Sequence, residues 1–225
     1  PPTQDTIPLS DEFLSRVVTE IMAQTKDLPD RGDLVENYLQ LNRDLRARNA
    51  AELVTLGERA VSRFLWKEPF LPMRNAKVMA AFADERRYLH GGNEIDRQTH
   101  LGFDLASTAR TPVPAANSGV VLLARYFGIY GNTVVVDHGF GLMTIYSHLS
   151  SIAVKEGEPV ERGAPLGLTG RTGLAGGDHL HFCTLVRGLP VTPAEWWDAH
   201  WIRDRIAARL APAVVFEGAA AFAAD

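Results

Sequence analysis

Two short patterns in this chain could carry chemistry: His100-Leu101-Gly102-Phe103-Asp104 and His179-Leu180-His181. On an extended strand, side chains at i and i+2, or i and i+4, point to the same face. His100 can therefore share a face with Asp104, and His179 with His181. Imidazole and carboxylate are both good zinc ligands, and a catalytic zinc site takes three protein ligands while keeping one position open for water. Two paired strands bearing these four groups supply such a set and leave one imidazole over; the spacing does not say which. A helical His-Glu-x-x-His motif is absent, which excludes the common helix-based metalloprotease design. So is a Gly-x-Ser-x-Gly nucleophile elbow. Cys183 has histidines nearby in sequence, so a Cys–His nucleophile stays formally open. On a strand over 180–186, however, its thiol falls on the side of His179 and His181, and the favoured reading is a small buried apolar residue.

The elements that must position these groups change character along the chain. The first third reads as helical. Ser10 is a good N-cap, followed by Phe13, Leu14, Val17, Val18, Ile21 and Met22 at helical spacing. Residues 28–32 (Leu-Pro-Asp-Arg-Gly) break that helix. A second helix starts at about Asp33, with Leu34, Val35, Tyr38, Leu41 and Leu45 on its apolar stripe. Asn49 with Glu52 three residues on resembles a capping box opening a third helix to about Phe64. From 77 to 192 the chain is rich in Gly, Pro and β-branched residues. Residues 120–125, 133–137, 142–146 and 180–186 read as strands. Residues 137–141 (Asp-His-Gly-Phe-Gly) join two of them as a hairpin, and 154–163 reads as strand-turn-strand. Residues 193–210 return to helix, with Thr192 as N-cap and Pro193 at the first helical position. The alanine-rich stretch 211–225 is too short to span a bilayer and reads as a loosely held terminus.

The bulk properties exclude several function classes. With 225 residues, 46% hydrophobic and 22% charged, the chain can bury a substantial core. A net charge of −4 argues against nucleic-acid binding, which calls for a basic surface. One cysteine allows no intrachain disulfide. No apolar run approaches the ~20 residues of a membrane-spanning helix. Residues 1–8 lack the basic start and apolar stretch of a signal peptide, so an exported protein would need its signal or anchor outside this chain.

At this point the chain resembles a family. His100-x-x-x-Asp104, Tyr146-Ser147-His148-Leu149 and His179-Leu180-His181-Phe182 match, in order, the three signatures of the lysostaphin/LytM-type zinc endopeptidases. Gly131-Asn132, Asp137-His138-Gly139, Val154-x-x-Gly157-x-x-Val160-x-x-Gly163 and Gly170-x-Thr172-Gly173 resemble that family's turns. The likeness runs from about residue 82 to 193, roughly half the chain; the helical first third matches nothing assignable. The resemblance implies that His100, Asp104 and His181 hold Zn2+, with His148 and His179 as an unliganded catalytic pair. It implies hydrolysis of peptide bonds in peptidoglycan cross-links or stem peptides, and therefore a periplasmic or extracellular place in the cell envelope. Some members have lost ligands and serve as non-catalytic wall-binding or activator modules; here every position of the set is filled. Which cross-link is cut, and the oligomeric state, are not legible.

The remaining candidates have blander readings. His90, His138 and His200 read as surface or structural groups, His138 bonding locally in its hairpin turn. Residues 86–98 read as a loop beside the active site, solvated in preference to contacting substrate, and Asp178 as a turn residue in preference to a partner for an imidazole. Tyr146 either lines the cleft or packs in the core. Trp196, Trp197 and Trp201 read as anchors of the last helix to the sheet. The expected architecture is mainly β with α extensions (α+β): a small antiparallel sheet or sandwich with an open groove, N-terminal helices and one C-terminal helix. The expected division is 1–68 helical, 69–210 peptidase domain with its helix, and 211–225 tail.

Overall fold

Runs of Val, Leu, Ile and Thr bounded by glycines fold as strands buried on both faces when helices or a second sheet cover them. That pattern governs the centre of this protein. The computed structural model describes residues 3–210, so the reading of 211–225 falls outside the described residues. Strand β1 (Gln4–Pro8) leads into helix α1 (Asp11–Gln24), whose first turn is capped by Ser10 Oγ accepting from Phe13 N at 3.1 Å. Helix α2 (Leu34–Gln40), capped by Asp33, runs through a π turn (Leu41–Leu45) directly into α3 (Arg46–Glu58). The β region comprises β2 (Lys77–Ala80), β3 (Glu85–His90), β4 (Asn93–Thr99), β5 (Phe103–Ala106), β6 (Pro112–Pro114), β7 (Gly119–Tyr126) and β8 (Asn132–Gly139). It continues with β9 (Leu142–Leu149), β10 (Ser151–Ile152), β11 (Pro159–Val160), β12 (Pro165–Leu168), β13 (Leu180–Val186) and β14 (Leu189–Val191). Short helices α4 (Ala194–Trp197), α5 (Ala199–Ile202) and α6 (Ala208–Leu210) follow, the last two joined by a π turn (Arg203–Ala207).

The main sheet has the order β11-β7-β8-β9-β13-β5-β2, with β14 added at the far end of β13. All its pairings are antiparallel. One face carries Val134, Val136, Tyr146 and Phe182 into a core shared with Trp66, Phe70 and Trp196. The other face carries Leu123, Val135, Met143, Ile145, Cys183 and Leu185 against Leu53 and Leu56 of α3. A third cluster joins Leu14, Val17 and Ile21 of α1 to Tyr38, Leu41, Tyr88 and Ile129. Two smaller sheets, β10-β12-β6 and β1-β3-β4, complete the β structure. Among the described residues, no helix is long and apolar enough to cross a membrane.

Several expectations need correction. Asn49 does not open a helix. It sits buried inside the continuous α2–α3 rod, and its Oδ1 accepts from Ile129 N at 3.1 Å. Glu52 pairs with Arg125 rather than with a cap. The rod ends at Glu58, because the following segment is bound to the β8–β9 hairpin: Val61 O accepts from Phe140 N at 2.7 Å and Leu65 N donates to His138 O at 3.0 Å. That approach is close enough that a Cβ on Gly139 would lie 1.7 Å from Arg63 O, so this hairpin requires glycine there. Residues 86–98 are not a loop but the β3–β4 hairpin, and β3 also pairs in parallel with β1. Residues 154–163 contain only the two-residue β11, although Val154 and Val160 are both buried in the core. The last helix is interrupted at Asp198, whose Oδ1 accepts from His200 N at 2.8 Å and so caps a new segment; helix begins at Ala194, without a Thr192 cap.

Candidate metal and catalytic site

The register of the main sheet brings the two sequence patterns together: His181 on β13 lies opposite Asp104 on β5 and opposite Ser147 on β9. His100 is not on a strand. It follows β4 in the bend before β5, and this bend, rather than strand alternation, turns its ring toward Asp104. Gly102 makes the bend possible, since a Cβ there would meet His181 Cε1 at 2.6 Å.

Three ligand atoms converge. His100 Nε2 lies 3.0 Å from Asp104 Oδ1 and 3.1 Å from His181 Nδ1, and His181 Nδ1 lies 2.9 Å from Asp104 Oδ1. Zinc bonds of 2.0–2.1 Å in a tetrahedron put ligand atoms about 3.3 Å apart. The cluster is within a few tenths of an ångström of that edge, so these three residues fit a zinc ion. The outer atoms are fixed as well. His100 Nδ1 lies 2.8 Å from Ala81 O, which leaves Nε2 for the metal. Asp104 Oδ2 accepts from Arg86 Nη2 at 2.5 Å, which leaves Oδ1 for the metal. Burial opposes ionisation of Asp104, but hydrogen bonds from His100, His179 and His181 hold its pKa well below the usual carboxylate range. Burial lowers the His181 pKa to about 4, despite Asp104 beside it, so the ring is the neutral form a metal needs.

Two further imidazoles stand beside the cluster. His148, at the end of β9, has φ of 63°, a left-handed conformation that takes its ring out of the strand's alternation. Its Nδ1 lies 2.8 Å from Thr172 O, and its ring centroid is 4.9 Å from that of His179. His179 Nδ1 lies 2.9 Å from Gly177 O, and its Nε2 is 3.5 Å from Asp104 Oδ1. In both rings Nδ1 is committed to a backbone carbonyl, so Nε2 is the nitrogen left to exchange a proton. Burial, reinforced by the neighbouring His179 and His181, depresses the His148 pKa well below normal. Burial also opposes charging of His179, but Asp104 and the Gly177 carbonyl outweigh it and leave its pKa raised.

All five residues line one cavity of about 560 Å³. Its lining also draws on the N-terminal region: Ile7, Leu9 and Phe13, then Tyr38, Asn42 and Arg46 of the α2–α3 rod. The first third of the chain therefore shapes the site.

The other candidates take no part in the cluster. His138 is on β8 rather than in the turn, fully buried, bridging Ser118 O at 2.7 Å and Thr144 Oγ1 at 2.8 Å. Tyr146 faces the core, where its hydroxyl accepts from Ala116 N and Thr144 Oγ1. His90 pairs with Asp11, and His200 is exposed beside Asp198. Asp178 bonds Thr169 Oγ1 and Arg110 N instead of an imidazole. Cys183 is buried under α3, and burial pushes its thiol pKa up, which excludes a thiolate nucleophile. The three tryptophans are anchors: Trp196 packs on Trp66 and Phe70, Trp197 stacks on Phe103 and Phe182, and Trp201 packs on Trp196. Arg86 is the functional neighbour that sequence reasoning missed. The Gly91-Gly92 pair between two polar runs was a hairpin signal that could have placed it on a strand.

Residues 98–193, which contain the whole cluster, match the model of Peptidase family M23. The likeness to Peptidase family M23 thus takes in every residue of the cluster. Metallopeptidases of the M23 family use zinc, in agreement with the donor set. Over 92 residues the chain is 48% identical to the peptidoglycan DD-endopeptidase ShyA of Vibrio cholerae, covering 41% of this chain and 21% of that protein. Over 96 residues it is 40% identical to the DD-carboxypeptidase/endopeptidase Mpg of Neisseria meningitidis, covering 43% and 22%. The chain thus spans about a fifth of the length of these curated relatives. A solved M23-type structure from Pseudomonas aeruginosa superposes with a TM-score of 0.51 at 29% identity, over 71% of this chain and 61% of that one.

Proposed function

We propose that this protein is a zinc endopeptidase that hydrolyses peptide bonds of peptidoglycan outside the cytoplasmic membrane, with His100, Asp104 and His181 as the zinc ligands. The carrying observation is the convergence of three ligand atoms to within 3.1 Å, in a cavity that also presents two imidazoles outside the ligand set. The likeness to Peptidase family M23 and the wall-directed names of the relatives support the substrate class.

Bound at this cluster, zinc lowers the pKa of a water toward about 7 and polarises the scissile carbonyl. The remaining work belongs to the chain. Arg86 and the Ala81 carbonyl hold Asp104 and His100 in the orientation that points Oδ1 and Nε2 inward. His148, kept neutral by its surroundings, takes the attacking water's proton on Nε2, while Thr172 O fixes its ring. His179, its Nδ1 held by Gly177 O, offers Nε2 to stabilise the charge that develops on the carbonyl oxygen or to protonate the leaving amine.

The test is mass spectrometry of the products released from purified peptidoglycan, with and without a chelator. Chelator-sensitive release of peptides split at an amide bond is the expected result. A zinc-loaded protein that leaves every muropeptide intact would instead make this a wall-binding module.

A further inference from the structure

The lining of the cavity that holds the His–Asp cluster includes a guanidinium, Arg46, with no ion pair among the described residues. We propose that Arg46 is a carboxylate-recognition group, so that the cavity selects peptides carrying a free carboxylate near the scissile bond. The proposal rests on the reading of this cavity as the peptidase site.

Arg46 is the first residue of α3, directly after the π turn, and π turns recur where a helix serves a site. Its Nε donates to Asn42 O at 3.0 Å and its Nη2 to Asn42 Oδ1 at 2.6 Å. Both acceptors are neutral, and together they take two of the five N–H donors of a guanidinium. Three donors are left on a side chain whose orientation is already fixed. Asn42 is itself rigid: it is fully buried, and its Nδ2 donates to Asp96 Oδ2 at 2.7 Å. Asp96 is committed elsewhere, with Arg43 Nε on its Oδ1 at 2.9 Å. The other guanidinium of the cavity, Arg86, is already paired with Asp104. The remaining carboxylate, Asp178, bonds Thr169 and a backbone N–H on the loop that leads to β13.

Arg46 shares its cavity with all five residues of the reacting centre. Tyr130 lines the same cavity as Arg46, and its ring centroid is 5.8 Å from that of His181. A preorganised fork beside an apolar aromatic wall is the arrangement that binds a carboxylate bidentately and rejects its amide. Either a C-terminal carboxylate or a side-chain carboxylate of the peptide satisfies this chemistry.

The experiment uses one cross-linked muropeptide in three forms: unmodified, amidated at its C-termini, and amidated at its side-chain carboxylates. Turnover is measured with the zinc-loaded wild type, Arg46→Gln and Arg46→Lys. Binding is titrated in parallel on a His148→Ala background with and without Arg46→Gln, after melting curves show each variant folded. One of the two amidated forms is expected to bind the wild-type cavity about tenfold to a hundredfold more weakly, as loss of one charged hydrogen-bonded contact implies. Which form weakens identifies the carboxylate. Arg46→Gln abolishes that discrimination and raises KM with little change in kcat, and Arg46→Lys keeps part of it. Equal KM for all three forms, with cleavage intact, overturns the Arg46 assignment and leaves the peptidase reading standing. Carboxylate-dependent binding without any cleavage does the reverse. No binding of any form overturns both.

Discussion

The main sheet holds two buried histidine clusters that look alike in sequence and differ in what their second nitrogens do. In one, His138 spends both ring nitrogens on protein acceptors, and the adjoining Thr144 and Tyr146 close the network onto Ala116 N. In the other, His100 and Asp104 fix their outer atoms, the inner atoms of His100, Asp104 and His181 point at each other, and His148 and His179 keep Nε2 free of the carbonyls that hold Nδ1 in the same cavity. Burial is similar in both. A closed hydrogen-bond inventory makes a structural histidine, and an open one makes a site.

The comparison breaks most sharply at His148. His148→Ala should reduce turnover by about 10² to 10⁴ while the fold is retained, as expected for loss of a positioned proton-transfer group. Steady-state kinetics on cross-linked muropeptides checks this, and an unimpaired variant would dissolve the distinction between the clusters. His138 should instead register in stability. Burial holds its pKa at about 4, below the ordinary value of about 6.5. The unfolded chain therefore binds the extra proton, so the His138 contribution is full above pH 6.5 and is lost as pH falls toward 4. Urea unfolding from pH 7 to 4 should show up to about 3 kcal/mol of loss from this group, and a shallower dependence in His138→Gln.

Arg86 sharpens the comparison from outside the cluster. Arg86→Ala should weaken zinc binding by about tenfold to a hundredfold in a competitive chelator titration, because Asp104 Oδ2 loses its partner. Unchanged affinity would make Arg86 part of the β3 scaffold alone. The smallest effect belongs to Cys183, which is packed under α3 and outside the cavity. Cys183→Ala should cost about 1 kcal/mol by chemical denaturation and leave turnover intact; loss of turnover would reopen a thiol mechanism.

Much of this was legible in the sequence, for identifiable reasons. Residues 180–186 and the residues 137–141 hairpin could be read because their patterning is local: β-branched runs, then Phe140 and Gly141, both of which take the positive φ a two-residue hairpin turn needs. The cluster residues were legible as motif positions, although His100 reaches Asp104 through a glycine bend and not along a strand. Tertiary partners hid the rest. Asn49 looks like a cap, yet Ile129 N claims its side chain eighty residues away. The polar face of β3 looks like a solvated loop, because β1 and β4 supply its partners and Arg86 turns inward. No local signal marks Arg46, since its place in the cavity wall depends on how the rod packs against the sheet.

The most direct measurement is zinc stoichiometry across four purified variants: His100→Ala, His181→Ala, His148→Ala and His138→Gln. The expected result is close to one zinc per chain in the wild type, His148→Ala and His138→Gln, and close to none in His100→Ala and His181→Ala. Zinc retained in His181→Ala, or lost from a folded His148→Ala, would contradict the division into ligand and catalytic histidines.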